Sequence, residues 1–232
     1  MTNQQASLKV NLGCGPVGKD DWINVDWGIL AILHKIPFAK RALSALNVLP
    51  DAYNVKWPGN LVLHNCKYKL PFKDASVDFV YASHFLEHFK KYEAMRLLQD
   101  CLRIMKPGAT IRIIVPDLEL LARKYVEKDS AYLERLGTLL TENSGSKVLP
   151  ADLLVQAFYP DFNMAPPRGL ARFLVKFMKP HQWMYDFQTL SDLLENSGFR
   201  DVRHMQYRQG VTPDLDVLDV LPETSLYVEA VK

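Results

Sequence analysis

Two glycines and one carboxylate near the start of the chain have the types and spacing of a nucleotide site. Gly13 and Gly15 follow the apolar run Leu8–Leu12, and Asp26 ends the next apolar run. Closely spaced glycines after a strand let the backbone approach a ligand, and a carboxylate at the tip of the next strand can accept hydrogen bonds from ribose hydroxyls. The same glycines also fit an ordinary turn, so the nucleoside-type cofactor that they suggest depends on the rest of the chain.

Three histidines could take a proton from a substrate. His84 and His88 flank Glu87 in the sequence His-Phe-Leu-Glu-His, and His181 follows a proline-rich stretch. Imidazole groups titrate near neutral pH, so each histidine could act as a general base. His84 comes directly after a predicted strand. We therefore assign His84 and His181 as the candidate catalytic residues and expect His88 at the surface or in packing.

The same residues could also be interpreted as a metal-binding pair. A spacing of four places His84 and His88 on one face of a predicted helix, next to Glu87. Their order differs, however, from the His-Glu-x-x-His pattern of zinc peptidases. The three cysteines of the chain show neither a Cys-x-x-Cys nor a Cys/His ligand spacing. We therefore expect no metal site.

Length and composition favour one globular domain over residues 1–232. Hydrophobic residues make up 48% of the chain and charged residues 23%, and the formal net charge is only +2. Such a small charge disfavours a nucleic-acid partner. No apolar run is long enough to cross a membrane, and Met1–Ser7 lacks the apolar core of a signal peptide. An odd number of cysteines without disulfide spacing favours a reducing, cytoplasmic location.

Short apolar runs alternate with helical patterns, which predicts an α/β fold with a Rossmann-like, doubly wound and mostly parallel sheet. The last two predicted strands are joined by a proline-containing loop, so we expect an antiparallel hairpin at one sheet edge. The predicted strands are Leu8–Leu12, Ile23–Asp26, Leu61–His64, Val77–Ser83, Thr110–Val115, Arg200–Tyr207 and Ser225–Val231. The predicted helices are Gly28–Leu46, Tyr92–Met105, Leu118–Lys128 and Thr189–Ser197, with Gly198 ending the last one.

Two features depart from a minimal unit of this kind. Only 11 positions separate Gly15 from Asp26, where a full helix and about 20 residues are usual, so the first crossover must be shortened. Two helical inserts, about 27–60 and 129–180, are longer than such a unit needs. Long connections at the ligand edge often carry specificity, so the inserts are expected to form a lid over the substrate or, equally, packing layers. The first insert would then replace the missing cover beside the cofactor.

Five motifs occur in one order along the chain. They read LGCGP, NVD, LPFxDxSxDxV, SHxLEH and LRxxKPGAxxRIxVPDL. As an ordered set over about Leu8–Leu118, they resemble the class I S-adenosylmethionine-dependent methyltransferases, in particular the small bacterial methyltransferase-domain proteins of the type-11 kind. A weaker similarity continues through His181–Asp186, Leu190–Val202 and Leu226–Ala230.

The resemblance implies S-adenosylmethionine as cofactor, S-adenosylhomocysteine as product and a set of residues that hold them. Gly13 and Gly15 would pass the methionine part with their backbone, and Asp26 would accept hydrogen bonds from the ribose. Many relatives carry an aspartate for the adenine amino group after the third strand, where this chain has Asn65 and Cys66. The complete expected set is Asn11, Gly13, Cys14, Gly15, Asp26, Asn65, Cys66, Ser83 and His84.

The acceptor of the methyl group is expected to be a small or medium molecule. Aromatic residues around Trp183 and the absence of a basic patch favour O-methylation of a sugar, glycan or natural-product hydroxyl. Asp117, Tyr185 and Asp186 are the candidate acceptor contacts, although both aspartates could instead cap helices. N-methylation, RNA modification, another transfer from the same cofactor and a non-catalytic partner subunit with the same fold stay open, as does the oligomeric state.

Overall fold

A seven-stranded sheet forms the centre of the protein. The computed structural model describes residues 7–38, 41, 56–140, 149–158 and 180–232. The strands are β1 (Lys9–Leu12), β2 (Ile23–Asp26), β3 (Leu61–Leu63), β4 (Val77–Ser83), β5 (Met105–Pro116), β6 (Arg200–Met205) and β7 (Ser225–Val231). Across the sheet they lie in the order β3-β2-β1-β4-β5-β7-β6.

All neighbouring strands are parallel except at β7, which runs antiparallel to both β5 and β6. This arrangement confirms the predicted Rossmann-like sheet with an antiparallel C-terminal edge. Leu12 of β1 pairs with Val25 of β2 on one side and with Ala82 of β4 on the other. The strand order reverses between β1 and β4, and ligands of open α/β sheets bind outside the carboxyl ends of the strands at such a point.

Helices connect and cover the strands. They are α1 (Ile29–Lys35), α2 (Lys91–Ile104), α3 (Leu118–Val126), α4 (Ser130–Leu140), α5 (Pro150–Phe158), α6 (Phe187–Ser197) and α7 (Leu215–Leu218). Gly198 ends α6 in the left-handed conformation, as predicted. The first helix ends earlier than predicted, at Lys35, because Pro37 disfavours a helical conformation of Ile36. The last part of that predicted helix lies outside the described residues.

One face of the sheet is apolar and packs against α2 and α6. Side chains alternate along each strand, so Val10, Val80 and Ile111 all reach this face, and none of them is more than 1% exposed. Leu98 of α2 and Leu190 of α6 belong to the same buried cluster. This face contains the main hydrophobic core.

The opposite face carries polar residues between the apolar ones. Asn11, Asn24 and Arg112 are at most 2% exposed and lie at alternate strand positions. Turns alone join β1 to β2, which confirms the shortened first crossover. The connection between β6 and β7 covers the face, because Leu215 and Leu218 pack in one cluster with side chains of the sheet. The expected cover of the cofactor by the first insert stays a prediction.

A buried ion cluster holds the connection between β6 and β7. The Arg112 guanidinium donates to Asp219 at 2.6 and 3.0 Å and to Glu229 at 3.3 Å. The side chains of Arg112 and Asp219 are 0% exposed and that of Glu229 is 7% exposed. Because all three charges are removed from water, each depends on the others for its stabilisation.

A second polar cluster fixes the same connection to the β1–β2 turn. Asp214 accepts hydrogen bonds from Lys19, from the Trp22 indole N–H at 2.8 Å and from Lys9 at 3.1 Å. Burial alone would raise the pKa of the Asp214 carboxyl, but these three donors outweigh it and lower the pKa to about 2. Trp22 is 1% exposed, so its ring belongs to the core.

The two inserts are partly described. Ala31 of α1 and Trp57 pack around Cys14, so the first insert covers one side of the glycine turn. Helices α4 and α5 of the second insert pack on α3 around Leu121 and Leu136. The rest of both inserts lies outside the described residues, so the lid remains a prediction. Among the helices that are described, none is both long and apolar enough to cross a membrane.

Candidate active site

The turn after β1 brings its backbone to the carboxyl edge of the sheet. Gly13 and Gly15 both have left-handed backbone angles, with φ of +64° and +50°. The N–H groups of Gly13 and Cys14 donate to the Val25 carbonyl oxygen at 2.8 and 3.1 Å, which ties the turn to β2. A Cβ at Gly13 would lie 2.1 Å from the Phe85 ring, whereas a Cβ at Gly15 would meet open space. Gly13 is required by packing, and Gly15 leaves room for a ligand.

A cleft of about 250 Å³ lies beside this turn, walled also by the end of β4 and by the β6–β7 connection. The open space next to the Gly15 backbone and the cleft's place at the sheet's switch point fit the methionine end of a nucleoside cofactor. Six of the nine residues predicted to hold that cofactor line the cleft, namely Asn11, Gly13, Cys14, Gly15, Ser83 and His84.

Asp26 lies at the end of β2, next to the glycine turn. Its Oδ2 accepts from the Gly15 N–H at 2.8 Å and its Oδ1 from the Trp27 N–H at 2.6 Å. Each carboxylate oxygen can accept more than one hydrogen bond, so these contacts are compatible with ribose hydroxyls at the same group. The Trp27 side chain is 50% exposed beside it. Two backbone groups therefore orient the carboxylate that the sequence assigns to the ribose.

Asn65 and Cys66 do not line the cleft. The Asn65 side-chain oxygen accepts from the Lys67 N–H at 3.1 Å, and its carbonyl oxygen accepts from the Tyr68 N–H at 2.9 Å, so Asn65 organises the turn after β3. Cys66 is 5% exposed and contributes to a separate groove of about 510 Å³ next to α2. Their assignment to adenine therefore stays a prediction.

His84 occupies a strained position at the end of β4. Its φ of +47° is rare for a residue other than glycine, and such strain occurs often at functional sites. Its Nε2 lies 2.9 Å from Ser225 Oγ, and its Nδ1 lies 3.4 Å from Glu87 Oε1. A carboxylate near Nδ1 favours the tautomer that carries its proton there, which leaves Nε2 as the basic nitrogen.

The segment after His84 does not form the predicted helix. His84 is in a left-handed turn, and only one 3-10 turn, Leu86–His88, follows before α2. His84 and His88 therefore do not share a helix face, and that prediction is wrong. The strained turn at His84 separates the two imidazole groups, so their spacing in sequence carries no metal-binding geometry.

Glu87 is the residue of this site that the sequence analysis did not assign. It is 0% exposed, and charged residues are almost never fully buried without a partner. Its Oε1 lies 3.4 Å from His84 Nδ1 and 3.9 Å from His181 Nε2. The available signal was a glutamate between an apolar residue and a histidine, directly after a buried strand. Its pairing with His181 depends on tertiary structure and leaves no local pattern.

Backbone contacts bring His181 to Glu87. The N–H groups of Gln182 and Trp183 both donate to the Glu87 carbonyl oxygen, at 2.7 and 3.2 Å. Burial lowers the pKa of His181, while the Glu87 carboxylate acts in the opposite direction. The His181 side chain is only 9% exposed and does not line the cleft. Of the two predicted catalytic histidines, only His84 faces the cleft.

The three predicted acceptor contacts have structural roles. Asp117 caps α3 and Asp186 caps α6, each through a carboxylate oxygen that accepts from a backbone N–H of the first turn, at 3.0 and 2.7 Å. The capping alternative is therefore confirmed for both. Tyr185 is 0% exposed in the main core, where burial and the Glu87 charge raise the pKa of its hydroxyl group. Its side chain does not reach solvent in this structure, and its expected contact with an acceptor stays a prediction.

Part of the chain is similar to a known protein family. Residues 10–113 match a family model described as "Methyltransferase domain". This range contains the glycine turn, Asp26 and His84. No curated protein matches the chain.

Three solved structures illustrate the similarity of the whole chain to other proteins. One is a SAM-dependent methyltransferase from Thermotoga maritima, described as a possible histamine N-methyltransferase, at 14% identity, with 99% of this chain and 84% of that chain covered and a TM-score of 0.46. The second, from Archaeoglobus fulgidus, is 16% identical over 99% and 87% of the chains, with a TM-score of 0.46. The third, from Methanosarcina mazei, is 17% identical over 98% and 93%, with a TM-score of 0.47.

Proposed function

We propose that residues 10–113, which match the methyltransferase-domain family, form a class I S-adenosylmethionine-dependent methyltransferase domain, and that the protein methylates a hydroxyl group of a sugar, glycan or natural product. The proposed cofactor is S-adenosylmethionine. The observation that carries the proposal is the position of His84. Its imidazole lines the cofactor cleft, with Nε2 next to a serine hydroxyl and Nδ1 next to a buried carboxylate.

A hydroxyl acceptor needs a base, because a neutral alcohol is a poor nucleophile until its proton is removed. When bound, the cofactor supplies a methyl group already activated on a sulfonium sulfur. The task left to the chain is to align the acceptor and to remove its proton. His84 can do this through Nε2, while the Glu87 carboxylate, 3.4 Å from Nδ1, is close enough to stabilise the imidazolium that forms. The Ser225 hydroxyl group lies within hydrogen-bond distance of Nε2. It shows where the hydroxyl group of an acceptor could donate a hydrogen bond to this nitrogen.

The proposed base is tested by His84→Asn. Asparagine tolerates the left-handed conformation of this position but has no basic nitrogen. We expect methyl transfer to slow by about 10²- to 10⁴-fold. The variant should also lose the pH dependence that proton removal by a base gives to the wild-type rate. His204→Asn is the matched control, because His204 is exposed on β6 and stacks on Phe187. Equal pH profiles for wild type and His84→Asn would remove His84 as the base.

The acceptor class is tested with methyl-labelled cofactor. The full chain is incubated separately with panels of sugars, phenols and aliphatic alcohols, amines, and RNA. We expect label in an ether-linked methyl group of the first two panels. Label only in the amines or only in RNA would replace this proposal by one of the alternatives, and affinity for the cofactor without turnover in any panel would favour a non-catalytic role.

A further inference from the structure

Two histidines that do not line the cleft, His88 and His181, lie close to Glu87. Glu87, His88 and His181 each offer one ligand-type atom, and these atoms all lie within 4.8 Å of one another. The His88 and His181 rings are 5.0 Å apart between centroids and nearly perpendicular, at 69°. Two imidazole nitrogens and one carboxylate oxygen are donors that zinc-type ions prefer.

The burial of Glu87 is the second, independent sign of a ligand. Its side chain is 0% exposed, and neither Oε1 nor Oε2 accepts a hydrogen bond from any described residue. An ionised carboxylate removed from water without compensation costs several kcal/mol. His84 and His181 lie 3.4 and 3.9 Å away without hydrogen-bonding geometry. A cation between the carboxylate and the two imidazole groups would remove this cost.

The surroundings also prepare the histidines for coordination. The His88 Nδ1 lies 3.4 Å from the Pro180 carbonyl oxygen, which can only accept, so Nδ1 is the donor and Nε2 keeps its lone pair. Histidines that bind metals usually have their other ring nitrogen fixed in this way. For His181, the backbone fixes its position, because the N–H groups of the next two residues, Gln182 and Trp183, donate to the Glu87 carbonyl oxygen.

We propose that Glu87, His88 and His181 form a binding site for one divalent transition-metal ion of the zinc type. Three protein ligands would leave a fourth position for water. In a tetrahedral site with zinc–nitrogen and zinc–oxygen bonds of about 2.0–2.2 Å, two ligand atoms lie roughly 3.3–3.6 Å apart, so the cluster must contract by up to about 1.5 Å when the ion binds. The ion would join His181 to a turn 93 positions earlier in the chain, which the Gln182 and Trp183 backbone already contacts.

This site goes beyond the methyl transfer proposed above and does not depend on it. The expectation of no metal rested on the residue order around His84 and His88 and on the spacing of the cysteines, and neither pattern includes His181. His84 is not one of the three ligands, so it remains available as the base in the cofactor cleft. Oxidation state does not change in the binding step, and the imidazole and carboxylate groups bind without a co-reactant.

The test is direct titration of the full chain, without a histidine tag, after removal of metals by a chelator. Co²⁺ is the probe, because its visible absorption reports coordination, and Zn²⁺ is then added in competition. We expect one equivalent of Co²⁺ to bind and Zn²⁺ to displace it. Bound Zn²⁺ should also raise the unfolding temperature, since it binds the folded state. His88→Gln and His181→Gln should each weaken metal binding by about 100-fold or more. Mutation of a residue that only hydrogen-bonds to a metal ligand already lowers metal affinity by about 10- to 100-fold.

Two controls make the result decisive. His204→Gln removes a histidine on β6, away from the cluster, and should leave Co²⁺ affinity unchanged. Circular dichroism and the unfolding temperature, measured on each variant without metal, show whether the variant is folded. If His181→Gln fails this check, the partly exposed His88→Gln still decides the matter. The proposal is overturned if the wild type binds no Co²⁺, or if it binds Co²⁺ as tightly in both histidine variants as in His204→Gln.

Discussion

Gly13 and Gly15 share a left-handed backbone but differ in what surrounds them. Alanine at either position would adopt that backbone at a cost of about 1–2 kcal/mol. At Gly13 the new methyl group would also overlap the Phe85 ring, and overpacking of this kind adds about 1–3 kcal/mol. We therefore expect Gly13→Ala to lower the free energy of unfolding clearly more than Gly15→Ala does, as measured by urea denaturation.

In cofactor binding we expect the reverse order, with the larger loss of affinity in Gly15→Ala. Gly15 borders open space in the cleft, so its methyl group would take room from the ligand. Calorimetry with S-adenosylhomocysteine should show a larger loss of affinity for Gly15→Ala than its small loss of stability explains. Equal effects of both variants on stability and on affinity would contradict the distinct roles of the two glycines.

At this scale, local patterns in the sequence located the glycine turn. Gly13, Asp26, Ser83 and His84 all lie at or directly after strand ends, so finding the strands was enough to place them, and their contacts with a cofactor stay predictions. Glu87 was missed because its meaning depends on His181, which reaches it only through tertiary contacts. The burial of Tyr185 was missed for the related reason that the packing of a tyrosine in a core cannot be inferred from its neighbours.

At the scale of elements, the connection between β6 and β7 takes the place of the absent first crossover helix. Arg112 is central to it, because its guanidinium bonds Asp219 and Glu229 in full burial. Arg112→Met would leave two buried carboxylates without their cation. We expect a loss of about 3–5 kcal/mol in the free energy of unfolding. Cofactor affinity should fall as well, since Leu218 and Leu221 of this connection line the cleft.

Arg135→Met is the matched control for that experiment. Its ion pair with Glu223 at 3.2 Å is largely exposed, and such pairs contribute about 0–1 kcal/mol. Denaturant unfolding of both variants under the same conditions makes the comparison. Similar losses for Arg112→Met and Arg135→Met would show that the buried cluster does not hold the connection.

The strands were predictable because buried strands are short apolar runs bounded by turns, and Val77–Ser83 and Ser225–Val231 agree with the structure at both ends. The connection between β6 and β7 that covers the polar face was not predictable from the sequence. It is held by Asp214 and Asp219, two aspartates whose hydrogen-bond partners lie more than 100 positions away. Similarly, the helix predicted for His84–His88 does not form, because His84 at its start has a left-handed backbone conformation.

At the scale of the whole molecule, the sheet topology decides where chemistry can occur. The reversal of strand order between β1 and β4 places the glycine turn and His84 on opposite walls of one cleft. The site with Glu87 and His181 lies directly behind His84. Cofactor binding, proton removal and the proposed metal site are therefore next to one another at a single edge of the sheet.

The central claim is that this edge binds S-adenosylmethionine through the glycine turn and Asp26. Titration calorimetry of the full chain with S-adenosylhomocysteine tests it most directly, with Asp26→Ala as the variant and Asp20→Ala, an exposed carboxylate nearby, as the control. Hydrogen bonds to a charged group contribute about 1.5–3 kcal/mol, so Asp26→Ala should weaken binding by about 10- to 100-fold while Asp20→Ala does not. Wild-type protein that binds neither S-adenosylhomocysteine nor S-adenosylmethionine would contradict the account.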